Sequence, residues 1–127
     1  MAKLRRTLLI GLGGTGITSI LNAKKMFYEN YGQIPPMIGF IGIDTDTPGL
    51  RNAFVTADDG TRISLNASEQ LCISVQTPTQ IYANNRNNNL FDWMPECNVS
   101  GLRDLSIGAG QMRSNGRFAV TVNENIV

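Results

Sequence analysis

Gly11-Leu12-Gly13-Gly14-Thr15-Gly16 follows directly on the apolar run Leu8-Leu9-Ile10, and no other stretch constrains the fold of this chain as strongly. The pattern reads as a buried strand that enters a glycine turn and then a helix. Glycines let the backbone turn sharply and approach a ligand closely. The helix that follows aims its free N–H groups and the positive end of its dipole at whatever sits there, which suits phosphate. The same letters also describe a tight strand-to-helix turn with no ligand. A second glycine loop, Gly108-Ala109-Gly110, followed by Gly116-Arg117, turns the balance toward nucleotide binding.

The elements between the loops support an α/β reading. Arg6 to Ile10 is a short β-type run. From Thr15 the period changes, and Ile17, Ile20, Leu21, Phe27, Tyr28 and Tyr31 recur on one helical face. Lys24 interrupts that face, where its aliphatic stem can lie along apolar neighbours. Gly32 is placed as a C-cap, and Pro35-Pro36 forbids continuation. Met37 to Ile43 is apolar on both faces, as expected of a parallel strand covered on both sides. Strand, helix and strand make a right-handed crossover. Asp44-Thr45-Asp46 then stands at the strand's C-terminal tip, the edge where open α/β sheets bind ligands.

Further along, Arg62 to Leu65 and Leu71 to Val75 suit short strands. The Asn-rich stretch 76–89 reads as a polar loop, either a solvated insertion or a lid. Leu90 to Met94 suits one helical turn stopped by Pro95, with Trp93 as a core plug. For 115–127, Phe118, Val122 and Ile126 fit a helix face, with Ser114 or Asn115 as N-cap; a strand pattern over Phe118, Val120 and Val122 competes. No linker divides the chain, so residues 1–127 read as one nucleotide-binding domain.

Composition removes several classes of function. The net charge is +1, too little for a broad field toward nucleic acid or a membrane surface, and Lys3, Arg5 and Arg6 form only a short basic start. The apolar run near the N-terminus is broken by glycines and lacks a signal-peptide pattern. No stretch approaches the roughly 18 apolar residues that span a bilayer. There is no histidine, and Cys72 and Cys97 lack CxxC spacing, so no metal site is assigned and no catalytic histidine exists. Reduced cysteines fit a cytoplasmic protein.

The residues that carry chemistry are the backbone donors of Gly11, Gly13, Gly14, Thr15 and Gly16, those of Gly108, Ala109 and Gly110, and the guanidinium of Arg117. Arg113 is either a second phosphate cation or a solvated charge, and Gln111 either orients a water or is simply polar surface. The absence of Gly-Lys-Ser/Thr rules against a Walker P-loop. Asp44 and Asp46 suit turn capping together with a contact to nucleotide or magnesium-bound water, rather than direct ligation. Gly11, Gly13 and Gly16 also spell a dinucleotide fingerprint, with Asp44 on the ribose of NAD(P) in an oxidoreductase. That alternative wants an acid about 20 residues on, nearer than Asp44, and leaves Gly108-Ala109-Gly110 unexplained.

Three segments in order resemble the tubulin and bacterial cell-division GTPase superfamily, and within it the bacterial tubulin-like proteins. They are Ile10 to Gly16, Phe40-Ile41-Gly42-Ile43-Asp44-Thr45-Asp46, and Gly108-Ala109-Gly110 with Gly116-Arg117. Asp44 stands where the cell-division proteins have Asn. The resemblance implies a Rossmann-like three-layer parallel sheet and a cytoplasmic, cytoskeletal protein. It implies GTP or GDP on the two glycine loops, with magnesium held mainly by the phosphates. It also implies self-association into filaments, with hydrolysis completed by an acidic residue of the next subunit. The superfamily's later glycine loop and its acidic loop have no counterpart here. The chain is therefore expected to be the N-terminal portion of a longer protein, to contain no catalytic residue of its own, and to be inactive alone.

Overall fold

The computed structural model describes residues 3–127. Strand β1 (Thr7–Leu12) runs into helix α1 (Gly13–Tyr31) and then strand β2 (Ile38–Asp44). Next come helix α2 (Thr47–Asn52), the strands β3 (Phe54–Thr56) and β4 (Arg62–Ser64), a 3₁₀ turn at Ala67–Glu69, and strand β5 (Gln70–Cys72). Helices α3 (Pro78–Asn84), α4 (Glu96–Val99) and α5 (Arg113–Val122) complete the order. The strands form a three-stranded sheet ordered β1-β2-β5 and a separate β3-β4 ribbon. β1 and β2 are parallel, pairing Thr7 with Ile38 through to Leu12 with Ile43. This is the α/β class with a parallel sheet that the strand–helix–strand pattern predicts.

The chain falls into two compact units. One comprises residues 1–44 and 48–71, the other residues 45–47 and 72–127. In the first, α1 packs on the β1–β2 sheet, and its Ile17, Ile20 and Leu21 are buried, as are Ile38 and Phe40 of β2. Each such side chain is worth roughly 1.5–3 kcal/mol, so this stripe rather than helix propensity holds α1 in place. Lys24 sits within the stripe because its ammonium reaches Glu69 Oε1 at 2.6 Å and donates to the Ser64 carbonyl at 3.0 Å. Gly32 ends the helix in the left-handed conformation, its N–H bonded to the Tyr28 carbonyl.

The expectation of cover on both faces holds on one. Ile38, Phe40 and Gly42 are buried, while Gly39, Ile41 and Ile43 are half-buried. Along β1 the corresponding face is open: Leu8, Ile10 and Leu12 are 55%, 55% and 68% exposed, because no element among the described residues packs over them.

The second unit has its own core. Phe91 stacks on Phe118 with centroids 4.5 Å apart, and Met94, Leu102, Leu105 and Ala119 are buried with them. The predicted polar loop over 76–89 is in part a helix, α3. Thr77 stands at its N-cap position and Pro78, with φ preset and no N–H to lose, fills its first turn. Phe91 and Met94, not Trp93, plug the core. Pro95 starts α4 rather than simply stopping a turn. The C-terminal segment is helical as predicted, but Met112 occupies the N-cap, Asn115 is buried inside the helix, and Ile126 is exposed beyond its end.

Candidate functional site

The first glycine turn shows a division of labour among its residues. Gly11 and Gly16 touch backbone to backbone. A Cβ on Gly11 would lie 2.5 Å from the Gly16 carbonyl oxygen, and one on Gly16 would lie 2.9 Å from the Gly11 carbonyl carbon. Only two glycines allow strand and helix to meet this closely. Gly13 turns the corner with φ +69°, and helix α1 begins there, two residues before the position its apolar period indicates. Around Gly13 and Gly14 the space a side chain would fill is open. Leu12 at the N-cap offers no side-chain acceptor, and the first turn of α1 holds no acidic residue. The first-turn N–H groups thus lack a side-chain cap and stand at a positive helix end, with open space beside Gly13 and Gly14.

Asp44 belongs to the same place. The parallel register sets Leu12 beside Ile43, so the residues that follow, Gly13 and Asp44, leave the sheet at the same C-terminal edge. Asp44 and Asp46 are half-buried, and Thr45 between them is buried. A concavity of about 590 Å³ opens at the opposite end of β1, lined by Arg6, Thr7, Leu8, Pro36 and Met37. It lies at the N-terminal end of the strands, away from the edge that binds ligands in open α/β sheets, and it lacks a donor nest.

The second glycine loop is built by other means. Gly108 and Gly110 have φ +114° and +64°, and Gln111 follows at +62°, the one non-glycine residue with positive φ among the described residues. A residue with a side chain costs of order 1–3 kcal/mol there, and such strain concentrates at functional loops. Asn115 donates from Nδ2 to the Ala109 carbonyl at 3.2 Å and to the Gly101 carbonyl at 3.3 Å. The guanidinium of Arg103 rests against Gly110, in the space a Cβ would occupy. Just upstream, Ser106 donates its N–H to Asp104 Oδ1 at 2.8 Å, and its carbonyl accepts from the Thr47 N–H at 3.0 Å. The backbone beside Asp46 is thereby tied to the segment entering Gly108. Bonds from the Ser106 hydroxyl and N–H hold the Asp104 carboxyl below the ordinary aspartate range. Arg117 projects from α5 with its guanidinium over the Trp93 ring, 4.3 Å from the centroid. Arg113 is exposed on the first turn of the same helix, whose N-cap, Met112, likewise makes no side-chain capping bond.

The structure therefore brings together Gly11, Gly13, Gly14, Thr15, Gly16 and Asp44 in one unit. Asp46 shares the other with Gly108, Ala109, Gly110 and Arg117. The sequence does not single out Arg103, and it offers Asn115 only as a candidate N-cap. Arg103 carries no signal, since a single Arg beside an Asp reads as a solvated charge. Asn115 does carry one: it lies three residues before Phe118 and four before Ala119, on the buried stripe of α5.

These features define an α/β protein with a parallel sheet and a glycine turn that offers backbone donors at the C-terminal edge of its strands. A family model described as tubulin like matches residues 8–127, nearly the whole chain. The chain belongs to the tubulin-like family. No curated protein and no solved structure matches it.

Proposed function

We propose that this chain binds guanine nucleotide, GTP or GDP, with the phosphates held by backbone N–H groups of Gly11–Gly16 and Gly108–Gly110. The observation that carries the reading is the uncapped first turn of α1, facing open space at Gly13 and Gly14, in a chain that belongs to the tubulin-like family. A nest of orphan N–H donors at a helix N-terminus is matched to phosphate oxygens and does not need a P-loop lysine.

Cations complete the donor set. Arg103 already lies on the second loop. Arg117 is held on Trp93 and would turn from that ring to reach a phosphate. Magnesium, when bound, would neutralise phosphate charge and be held mainly by the phosphates, with Asp44 and Asp46 contacting it through water. Hydrolysis and filament assembly belong to the same reading, with the acidic group that completes hydrolysis supplied by a neighbouring subunit. Catalysis of that kind rests on positioning and electrostatic stabilisation.

Titration of the protein with Mg·GTP, with NADH as competitor, tests the proposal. Saturable binding that GDP competes and NADH does not is expected. Binding of NADH that GTP fails to displace would replace the reading with a dinucleotide-binding one.

A further inference from the structure

Asn115 is 0% exposed, yet it is a polar residue on the apolar stripe of α5. Its Oδ1 is buried without a hydrogen-bond partner among the described residues. An amide in that setting costs stability relative to leucine, which has the same branched shape, because one acceptor has given up water for nothing. Its neighbours on the stripe, Phe118 and Ala119, show what the core itself favours.

What the asparagine achieves lies at its other atom. Nδ2 donates to the Ala109 carbonyl at 3.2 Å and to the Gly101 carbonyl at 3.3 Å. Ala109 stands between two glycines with positive φ, so its peptide planes have little steric restraint of their own. A trans peptide holds its C=O and the following N–H in one plane, pointing in opposite directions. Drawing the Ala109 carbonyl inward to Asn115 therefore turns the Gly110 N–H away from α5. The Met112 N–H, at 3.3 Å from the same carbonyl, reinforces that orientation.

Resting on the nucleotide reading above, we infer that Asn115 is a positioning residue for the second phosphate loop. It touches no ligand. It fixes the Ala109–Gly110 peptide so that the Gly110 N–H is presented as an anion donor before nucleotide arrives.

Asn115→Leu separates this role from a packing role, because the two make opposite forecasts. Leucine removes the orphan acceptor, so the thermal midpoint should stay level or rise. Mg·GTP affinity should fall about tenfold, the equivalent of about 1.4 kcal/mol. Affinity within roughly twofold of the parent, a difference below 0.5 kcal/mol, would overturn the inference. A second measurement needs no variant. With ¹⁵N-labelled asparagine, the Asn115 side-chain amide resonances of the unaltered chain should shift on adding Mg·GTP and not on adding guanosine. No shift with bound Mg·GTP would also overturn it. A parent chain that binds no Mg·GTP at all would bring down the nucleotide reading and this inference together.

Discussion

At the Gly11–Gly16 turn the backbone holds itself, with Gly11 and Gly16 in direct contact and the corner made by Gly13 at the junction of β1 and α1. At Gly108–Gly110 side chains do the holding: Asn115 bonds the Ala109 carbonyl, Arg103 covers Gly110, and the strained Gln111 follows. Both loops have a Gly-x-Gly core, but the first is rigid by virtue of regular structure on either side. The second has no strand leading into it and depends on a few specific contacts. Substitutions in the first loop should therefore damage the fold, and substitutions in the second should damage binding ahead of the fold.

The largest effect is expected from Gly11→Ala. Its Cβ would meet the backbone of Gly16, which cannot swing aside as a side chain would. Overpacking at such a contact should cost about 3 kcal/mol, seen as a lowered urea midpoint. A loss below about 1 kcal/mol, the low end of overpacking costs, would mean that strand and helix are less tightly joined than described.

Gly110→Ala should cost less in stability, about 1 kcal/mol for an L side chain at φ +64°. The Arg103 guanidinium, a flexible group, can move away. Nucleotide affinity should fall further than stability does, since both the loop geometry and its resting cation are disturbed. Equal losses in the two would erase the distinction between the loops.

Gln111→Gly should act in the other direction. Relief of the positive φ, set against a more flexible unfolded chain, should leave a gain of about 0.5 kcal/mol in thermal denaturation. A clear loss would mean that the glutamine side chain stabilises the loop.

The smallest effect concerns pH. Asp104 in the second unit is held below the ordinary aspartate range by Ser106. Asp59 in the first is held there by the hydroxyl and N–H of Thr61 and by Tyr28. A depressed carboxyl contributes its stability at and above the ordinary aspartate value and loses it as pH falls through the lower folded value. Hydrogen-exchange protection around 104–108, measured against the intrinsic rate, should therefore fall in that acid window, and Asp104→Asn should remove the dependence. An unchanged acid response in the variant would assign the effect to other groups.

Sequence and structure agree where the local chemistry is self-sufficient. The apolar run into glycines, the helical period of Ile17, Ile20 and Leu21, the Gly32 cap and the Asp44 strand end are all legible because each residue's reason lies within a few neighbours. The failures are non-local. The asparagines of 76–89 suggest loop, yet Thr77-Pro78 starts a helix whose Tyr82 packs on Phe91. Lys24 looks misplaced on an apolar face until Glu69, distant in sequence, is seen to meet it. The family motif points to Arg117, but nothing near it in sequence reveals that Trp93 stacks against it or that Arg103 lies on the glycine loop. The open face of Leu8, Ile10 and Leu12 could not be read either, because an apolar strand looks the same whether or not anything covers it.

The most direct test of the central claim is amide NMR of the uniformly labelled chain titrated with Mg·GTP and, in parallel, with guanosine. Backbone N–H groups of Gly13, Gly14, Thr15 and Gly16 and of Gly108, Ala109 and Gly110 should shift together with Mg·GTP and stay still with guanosine. Saturable binding of Mg·GTP that leaves both sets of amides unmoved would contradict the account.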